Sequence, residues 1–192
     1  MTRWRDVYTS RQLVSLRTLA RQVQGLETED IADGDRPLAQ AVATCLSLAV
    51  GRQADYTSSL CLWVPSGEFV CHTFGRQAIP MVWDFGEANP FSDSGGSYTS
   101  AADWIVPAVA ALGGTAEGLS TQTDAAVQGL TYGKVVSTDP PYYDNIGYAD
   151  LSDFFYVWLR RSLGGFFPDL FSTLVTPKAA ELIASPYRFD GS

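Results

Sequence analysis

The most constraining stretch of this sequence is a short apolar run that ends at two prolines, Lys134–Asn145 (KVVSTDPPYYDN). Its β-branched residues Val135 and Val136 predict a buried strand. Proline has no backbone N–H to donate to a sheet, so Pro140 and Pro141 must end that strand. Ligands bind at the carboxyl ends of strands in open α/β sheets, and we therefore expect a stiff binding loop here.

This loop offers the groups that a planar amine requires. The ionised carboxylate of Asp139 only accepts hydrogen bonds, and the backbone carbonyl of Pro140 is a second acceptor. Together they are suited to hold both hydrogens of an –NH2 group. Tyr142 adds a flat face on which a base can stack, a contact of about 1–3 kcal/mol. The alternative is a proline-rich turn with an exposed aromatic residue, and the preceding strand pattern favours the binding site.

The tetrapeptide Asp139–Tyr142 (DPPY) resembles the catalytic motif of the amino-group DNA methyltransferases. The longer run Asp139–Leu163 resembles the large adenine-specific DNA methylases of prokaryotes, some of which accompany restriction-modification and phage-defence systems. Three further stretches agree with that family: Thr9–Leu13, Met81–Phe91 and Thr176–Leu182. The resemblance implies an α/β fold, a partial Rossmann-like S-adenosylmethionine-dependent methyltransferase fold with an incomplete sheet. Family members are several times longer, so we expect an internal or truncated piece.

The resemblance also implies a reaction and roles for individual residues. The reaction is transfer of a methyl group from S-adenosyl-L-methionine to the exocyclic nitrogen of adenine in DNA. The implied catalytic residues are Asp139, Pro140 and Tyr142, and the adenine must leave the duplex to reach them. The residues implied to contact the base around them are Pro141, Tyr143 and Asn145.

Two positions are implied to face the cofactor. Asp124 corresponds to an acid that contacts the adenine of the cofactor. Thr9 corresponds to a residue that lies near the methionine end of the cofactor. Each has a structural alternative, Asp124 as N-cap of a helix over 125–130 and Thr9 as N-cap of a packing helix reaching Gln24. Asn89–Ser97 is interpreted as a flexible loop and not as the glycine-rich cofactor loop, because no clear strand precedes it.

The remaining pattern predicts two regions, a helical region with a small hairpin over 1–115 and a partial catalytic region over 116–192. The other predicted helices cover 35–51, 100–112, 150–163 and 178–184, and the other strands 60–64, 69–74 and 119–121. Apolar residues of the second helix form its predicted buried face: Leu38, Ala41, Val42, Cys45, Leu46 and Ala49.

Composition limits the partners of the chain. The net charge of −8 argues against a free-standing DNA-binding protein. Residues 1–24 nevertheless contain five arginines and one acid, about +4, which leaves about −12 for the remainder. We expect DNA contacts at this basic end, unless the arginines only form a solvated helix face.

The sequence also predicts a compartment. There is no apolar run of about 18 residues and no signal-peptide core near the start, so we expect a cytoplasmic protein without a membrane span. Three cysteines without a CxxC pair and one histidine are too few for a metal site.

Two other functions fit the same residues. One is a methyltransferase-derived interaction piece without catalysis, completed by another polypeptide that carries the cofactor loop. This second polypeptide would be the remainder of the methylase. The other is methyl transfer to amines of RNA or to protein amides, although an acid at Asp139 favours nucleic-acid amines.

Overall fold

The computed structural model describes residues 3–28, 34–75, 78–114, 118–143 and 146–184. Within these ranges the chain combines four α-helices with one two-stranded antiparallel sheet, a mixed α and β composition. A 3-10 turn at Trp4–Val7 precedes the first helix. The helices are α1 (Ser10–Gly25), α2 (Arg36–Tyr56), α3 (Tyr98–Ala111) and α4 (Tyr148–Leu163), and the strands are β1 (Trp63–Val64) and β2 (Phe69–Val70).

Helix α1 begins where the sequence predicts, at a reciprocal capping box. The Thr9 hydroxyl accepts a hydrogen bond from the Gln12 amide, and the Gln12 side chain accepts one from the Thr9 amide. These bonds satisfy two donors that the first helical turn leaves free. The buried side of α1 carries Leu16, Ala20 and Val23, as expected of a packing helix.

Helix α2 begins as predicted, with the Asp35 carboxylate accepting from the Leu38 amide, but its end is wrong and its buried face is only partly right. The helix continues through the buried Gly51 to Tyr56, because packing of this turn outweighs the cost of about 0.5–1 kcal/mol for glycine in a helix. Of the predicted buried residues, Ala49 is buried and Cys45 and Leu46 are half-buried, but Leu38, Ala41 and Val42 are exposed. The other residues on the buried side of this helix include Ala39, Ala43, Ser47, Val50 and Ala54.

The small sheet is the predicted hairpin with shorter strands. Trp63 is paired with Val70, and Val64 with Phe69. Beyond the hairpin, Leu62 forms an isolated bridge with Phe85, which holds the 81–91 segment beside the strands. The 81–91 segment is therefore fixed at the open edge of β1.

The hydrophobic core lies between α1, α2 and α4, which contact one another, while α3 packs on α2. Phe154 of α4 is at its centre and makes edge-to-face contacts with Trp4, Phe74 and Phe155 at ring distances of 4.9–5.6 Å. Phe166 and Phe171, which follow α4, also belong to this helical core. The core thus combines residues from both predicted regions, whose boundary at 115–116 lies outside the described residues.

The predicted parallel-sheet strands are absent from the described structure. Residues 118–143 contain turns but no helix or strand, so the strands at 119–121 and 135–136 and the helix at 125–130 are wrong. Val135 is fully exposed at 101%, and Val136 is 55% exposed. A strand requires neighbours to satisfy its backbone, and the described chain brings none to this segment.

One further element differs from expectation at the end of the described chain. The predicted helix over 178–184 is a turn followed by irregular chain. Helix α3 forms close to its predicted range of 100–112 and contains Pro107. No helix in the described ranges combines the length and apolar character needed to cross a membrane.

Candidate active site

The Asp139–Tyr142 loop is held in place at its far end. Tyr143 adopts a left-handed backbone conformation with φ of 47°, and its amide donates to the Pro141 carbonyl over 3.0 Å. The Tyr143 carbonyl accepts from the Ala184 amide over 3.1 Å. The loop is therefore a tight turn tied to the segment that follows α4.

Four of the predicted site residues line one cavity of about 420 Å³: Asp139, Pro140, Pro141 and Tyr142. Asp139, Pro140 and Tyr142 form one side, and Tyr148 at the start of α4 also contributes. The remaining wall comes from two separate parts of the chain, Thr123 and Ala125 on one side and Ala180, Glu181 and Leu182 on the other. This volume suits a single ligand of about nucleoside size.

The Ala180–Leu182 wall of the cavity and the residues just before it are fixed to α4 by hydrogen bonds. The Glu181 carboxylate accepts from the Ala149 amide over 2.8 Å, at the first turn of the helix. Asp153 accepts from the Thr176 amide over 2.8 Å and from the Lys178 ammonium over 2.7 Å. Two carboxylates thus hold the wall, Glu181 in the wall itself and Asp153 on α4.

The electrostatics of Asp153 favour its ionised form. Burial raises the pKa of this carboxyl, but the hydrogen bonds from Lys178 and Thr176 outweigh burial and hold the pKa below its ordinary value. Asp153 is therefore a charged anchor at neutral pH. Its side chain is 13% exposed, which limits screening of the pair with Lys178 by water.

Asp124, one of the two predicted cofactor residues, lies next to the cavity. Its neighbours Thr123 and Ala125 are part of the lining. One carboxylate oxygen of Asp124 accepts from the Ala126 amide over 2.9 Å, and its carbonyl accepts from the Gln128 amide over 3.1 Å. These are the bonds of an aspartate in a turn, and because no helix follows over 125–130, Asp124 is not the helix N-cap of the structural alternative.

Thr9, the other predicted cofactor residue, lines a different and open cavity of about 700 Å³. Its hydroxyl donates to the Glu87 carboxylate over 2.5 Å, and Arg11 forms an ion pair with the same carboxylate at 2.7 Å. The Thr9 hydrogen bond, together with Arg11, lowers the pKa of Glu87. Two stretches that carry the family resemblance, 9–13 and 81–91, therefore meet here and not beside Asp139.

Tyr143, another predicted base contact, is not part of the lining of this cavity. Tyr143 is 76% exposed and contributes only its backbone to the loop. Asn145 lies outside the described residues.

Sequence reasoning did not assign roles to Tyr148 and Glu181, although both line the cavity. Glu181 belongs to a stretch that carries the family resemblance, so a signal for it was present. Tyr148 is marked only by its place at the start of an aromatic helix.

Cys61 and His72 are engaged in other contacts. The Cys61 thiol lies 3.3 Å from both the Ser58 and Thr73 hydroxyls. His72 lies 2.6 Å from the Asp55 carboxylate and 2.9 Å from the Tyr56 hydroxyl. Within the described ranges no three or more His, Cys, Asp or Glu side chains are grouped as metal ligands.

Comparisons of the chain with protein-family models, with curated proteins and with solved structures found no match.

Proposed function

We propose that this chain carries the base-binding half of an S-adenosylmethionine-dependent DNA adenine methyltransferase. The observation that supports the proposal is the convergence of Asp139, Pro140 and Tyr142 on one cavity of about 420 Å³. Two acceptors and an aromatic ring in one cleft are the groups that an adenine amino group and ring require. The methyl transfer itself and its cofactor are part of the proposal.

The chemical role of Asp139 and Pro140 follows from the electronic structure of adenine. The lone pair of its amino nitrogen is delocalised into the ring, so this nitrogen is a poor nucleophile. Two acceptors that bind both amino hydrogens draw the nitrogen towards tetrahedral geometry and fix its direction. Such orientation, and charge placed in advance, are the main sources of rate in this type of site.

S-adenosylmethionine, when bound to a complete enzyme, supplies the methyl group. The residues described here do not complete a site for it. Thr9 binds Glu87 in another cavity, and the Asp124 carboxylate caps its own turn. The Asp139 cavity is of about nucleoside size. We therefore propose that a second polypeptide supplies the cofactor half.

In this proposal the same second polypeptide also completes the Rossmann-like sheet that the family resemblance implies. Val135 and Val136 are apolar, β-branched and exposed, which is the character of a strand without its neighbours. Strands from the second polypeptide pair with this segment and place Asp139 at a strand end, as in a complete methyltransferase sheet.

A second candidate function rests on the same exposed segment. A methyltransferase-derived chain that has no catalytic role also needs an apolar surface for a partner, and Tyr132 and Val135 provide one at 93% and 101% exposure. The two candidates differ in one property. Only the base-binding half recognises the amino group of adenine.

The test uses two nucleosides that differ only in that amino group. We expect the purified chain to bind adenosine about tenfold or more tightly than purine riboside in calorimetric titrations, since hydrogen bonds to a charged acceptor contribute about 1.5–3 kcal/mol. Asp139→Ala removes this preference. The control is Asp103→Ala, which deletes an exposed carboxylate on α3 and leaves the preference intact.

Equal binding of both nucleosides by the unmodified chain rejects the base-binding role and leaves the non-catalytic candidate. In an assembly completed by a cofactor-binding polypeptide, Asp139→Ala abolishes transfer of labelled methyl groups from S-adenosylmethionine to DNA.

A further inference from the structure

A second cavity, of about 340 Å³, is lined by three arginines from three different elements. Arg5 comes from the 3-10 turn, Arg17 from α1 and Arg161 from the last turn of α4. This arginine cavity shares no lining residue with the Asp139 cavity. The chain contains 13 lysines and arginines against 21 acids, so the convergence of three arginines on one site requires a cause.

The arginines of this cavity are not neutralised by strong ion pairs. Within the described ranges neither Arg17 nor Arg161 lies within 4.0 Å of a carboxylate, and no acid is part of the cavity lining. Arg5 has one partner, Asp6, at 3.8 Å, but both side chains are well exposed. Exposed pairs of this kind contribute little, so the cavity keeps an excess of positive charge.

The remaining lining of the cavity is largely aromatic. Trp4 is half-buried and packs edge-to-face on Phe154, while Tyr8 and Trp158 are buried. The Trp158 indole N–H donates to the Tyr8 hydroxyl over 3.2 Å. Burial raises the pKa of Tyr8 well above its ordinary value, so the phenol stays neutral and adds no negative charge that repels an anion.

We propose that the arginine cavity binds a phosphate group of a nucleic-acid backbone. Guanidinium groups bind phosphate oxygens in pairs of parallel hydrogen bonds, and an aromatic wall beside them accepts the adjoining sugar or base. The volume is large enough for a phosphate and part of its nucleotide. The choice of DNA as this nucleic acid rests on the proposed function, whereas the phosphate chemistry rests on the cavity alone.

The test compares arginines inside and outside the cavity on the same helix. Binding of a fluorescein-labelled 20-base DNA, as single strand and as duplex, is measured by anisotropy on the full chain at several salt concentrations. We expect Arg17→Gln and Arg161→Gln each to weaken binding about tenfold. The slope of log K against log salt should fall by about 0.7 for single strands or 0.9 for duplex per lost phosphate.

The matched control is Arg21→Gln, which removes the same charge from α1 at an exposed position outside the cavity lining. We expect it to change affinity by less than about twofold, since exposed surface charges away from a binding site have small effects. An equal loss in Arg21→Gln means that DNA is attracted by diffuse charge, which overturns the proposal. Unchanged binding by Arg17→Gln and Arg161→Gln, or no DNA binding by the unmodified chain, overturns it as well.

Two further measurements distinguish a free phosphate compound from DNA as the ligand, and distinguish failure of the arginine cavity from failure of the base-binding role. Inorganic phosphate and adenosine monophosphate are titrated into the chain by calorimetry, and tight binding of either without DNA binding identifies a free phosphate compound as the ligand instead. Arg17→Gln should weaken DNA binding by the same factor in the Asp139→Ala background as in the otherwise unmodified chain, because the two cavities share no lining residue. Failure of the base-binding role therefore leaves this result unaffected, and failure of the arginine cavity leaves the nucleoside preference unaffected.

Discussion

Asp153 connects the stability of the chain with the shape of its candidate site. This carboxylate lies outside the Asp139 cavity, yet it binds the Thr176 amide and the Lys178 ammonium, and the Thr176 hydroxyl lies 2.6 Å from it. These contacts hold the segment that ends in Ala180–Leu182, which forms one cavity wall. Disturbing Asp153 should therefore weaken both folding and ligand binding without touching the ligand.

Asp153→Asn should lower the free energy of unfolding by about 1.5–3 kcal/mol at pH 7, because a charged hydrogen-bonding partner of Lys178 is lost. The folded-state pKa of Asp153 is depressed below 3.8, so its contribution is complete above about pH 4 and is lost as the pH falls through the folded value. Urea unfolding at pH 7 and at pH 2–3 measures both effects. Variant and unmodified chain should differ at pH 7 and converge in acid.

Asp103→Asn on α3 is the control for Asp153→Asn, since its carboxylate is exposed. We expect a change within about 0.5 kcal/mol at either pH. A difference between Asp153→Asn and the unmodified chain that persists in acid would show that packing, and not charge, explains the effect.

At the scale of elements, α2 determines how closely the helices approach. Its buried side is made of small residues such as Ala39, Ala43 and Ser47, which allow α3 and α4 to pack against it. Its larger residues Leu38 and Val42 are 54% and 40% exposed. Close helix packing, and not side-chain hydrophobicity alone, therefore decides the orientation of this helix.

Two substitutions that introduce the same side chain test this orientation. Ala43→Leu should lower the free energy of unfolding by about 1–3 kcal/mol, because it overfills a site with no exposed surface. Val42→Leu should stay within about 0.5 kcal/mol, because the side chain faces solvent. The urea midpoints of both variants provide the comparison. A larger loss of stability in Val42→Leu than in Ala43→Leu would show that Val42 lies on the buried face, as the sequence predicts.

Local signals account for most of the elements that were predicted correctly. The Thr9–Gln12 capping box, the Asp35 cap and Gly164 after α4 each act within a few residues, so the sequence is sufficient to find these ends. The Asp139–Tyr142 part of the candidate site could be predicted from the sequence for the same reason, since its chemistry lies in consecutive residues, and its role stays a prediction.

Features that depend on distant neighbours were not predicted correctly. The face of α2 depends on which helices cover it, and the expected strand at Val135 and Val136 depends on strands that the described chain does not bring to it. The meeting of Thr9 with Glu87 also joins segments far apart in sequence. Neither periodicity nor spacing contains this information.

For the whole molecule, the contrast lies between the helical core and the 118–143 segment. The core buries aromatic rings around Phe154, whereas the segment exposes apolar side chains and, within the described residues, the amides of 135–138 donate no hydrogen bond. Stability is therefore concentrated away from the Asp139 loop. A site on a weakly held segment is suited to being completed by a partner.

Hydrogen exchange measures this contrast directly. In the chain alone we expect the amides of Val135–Thr138 to exchange within about tenfold of the rate of a synthetic peptide of sequence KVVSTDPPYY. Amides of α1, α2 and α4 should be protected at least about a thousandfold, since they open only with the core of a domain that has about 5 kcal/mol or more of stability. A polypeptide that completes the sheet should slow exchange at Val135 and Val136 specifically, because it supplies the acceptors that these amides lack. Slow exchange at these two residues in the chain alone would instead show that the strand forms without a partner, and would remove the main reason for proposing that a second polypeptide completes the site.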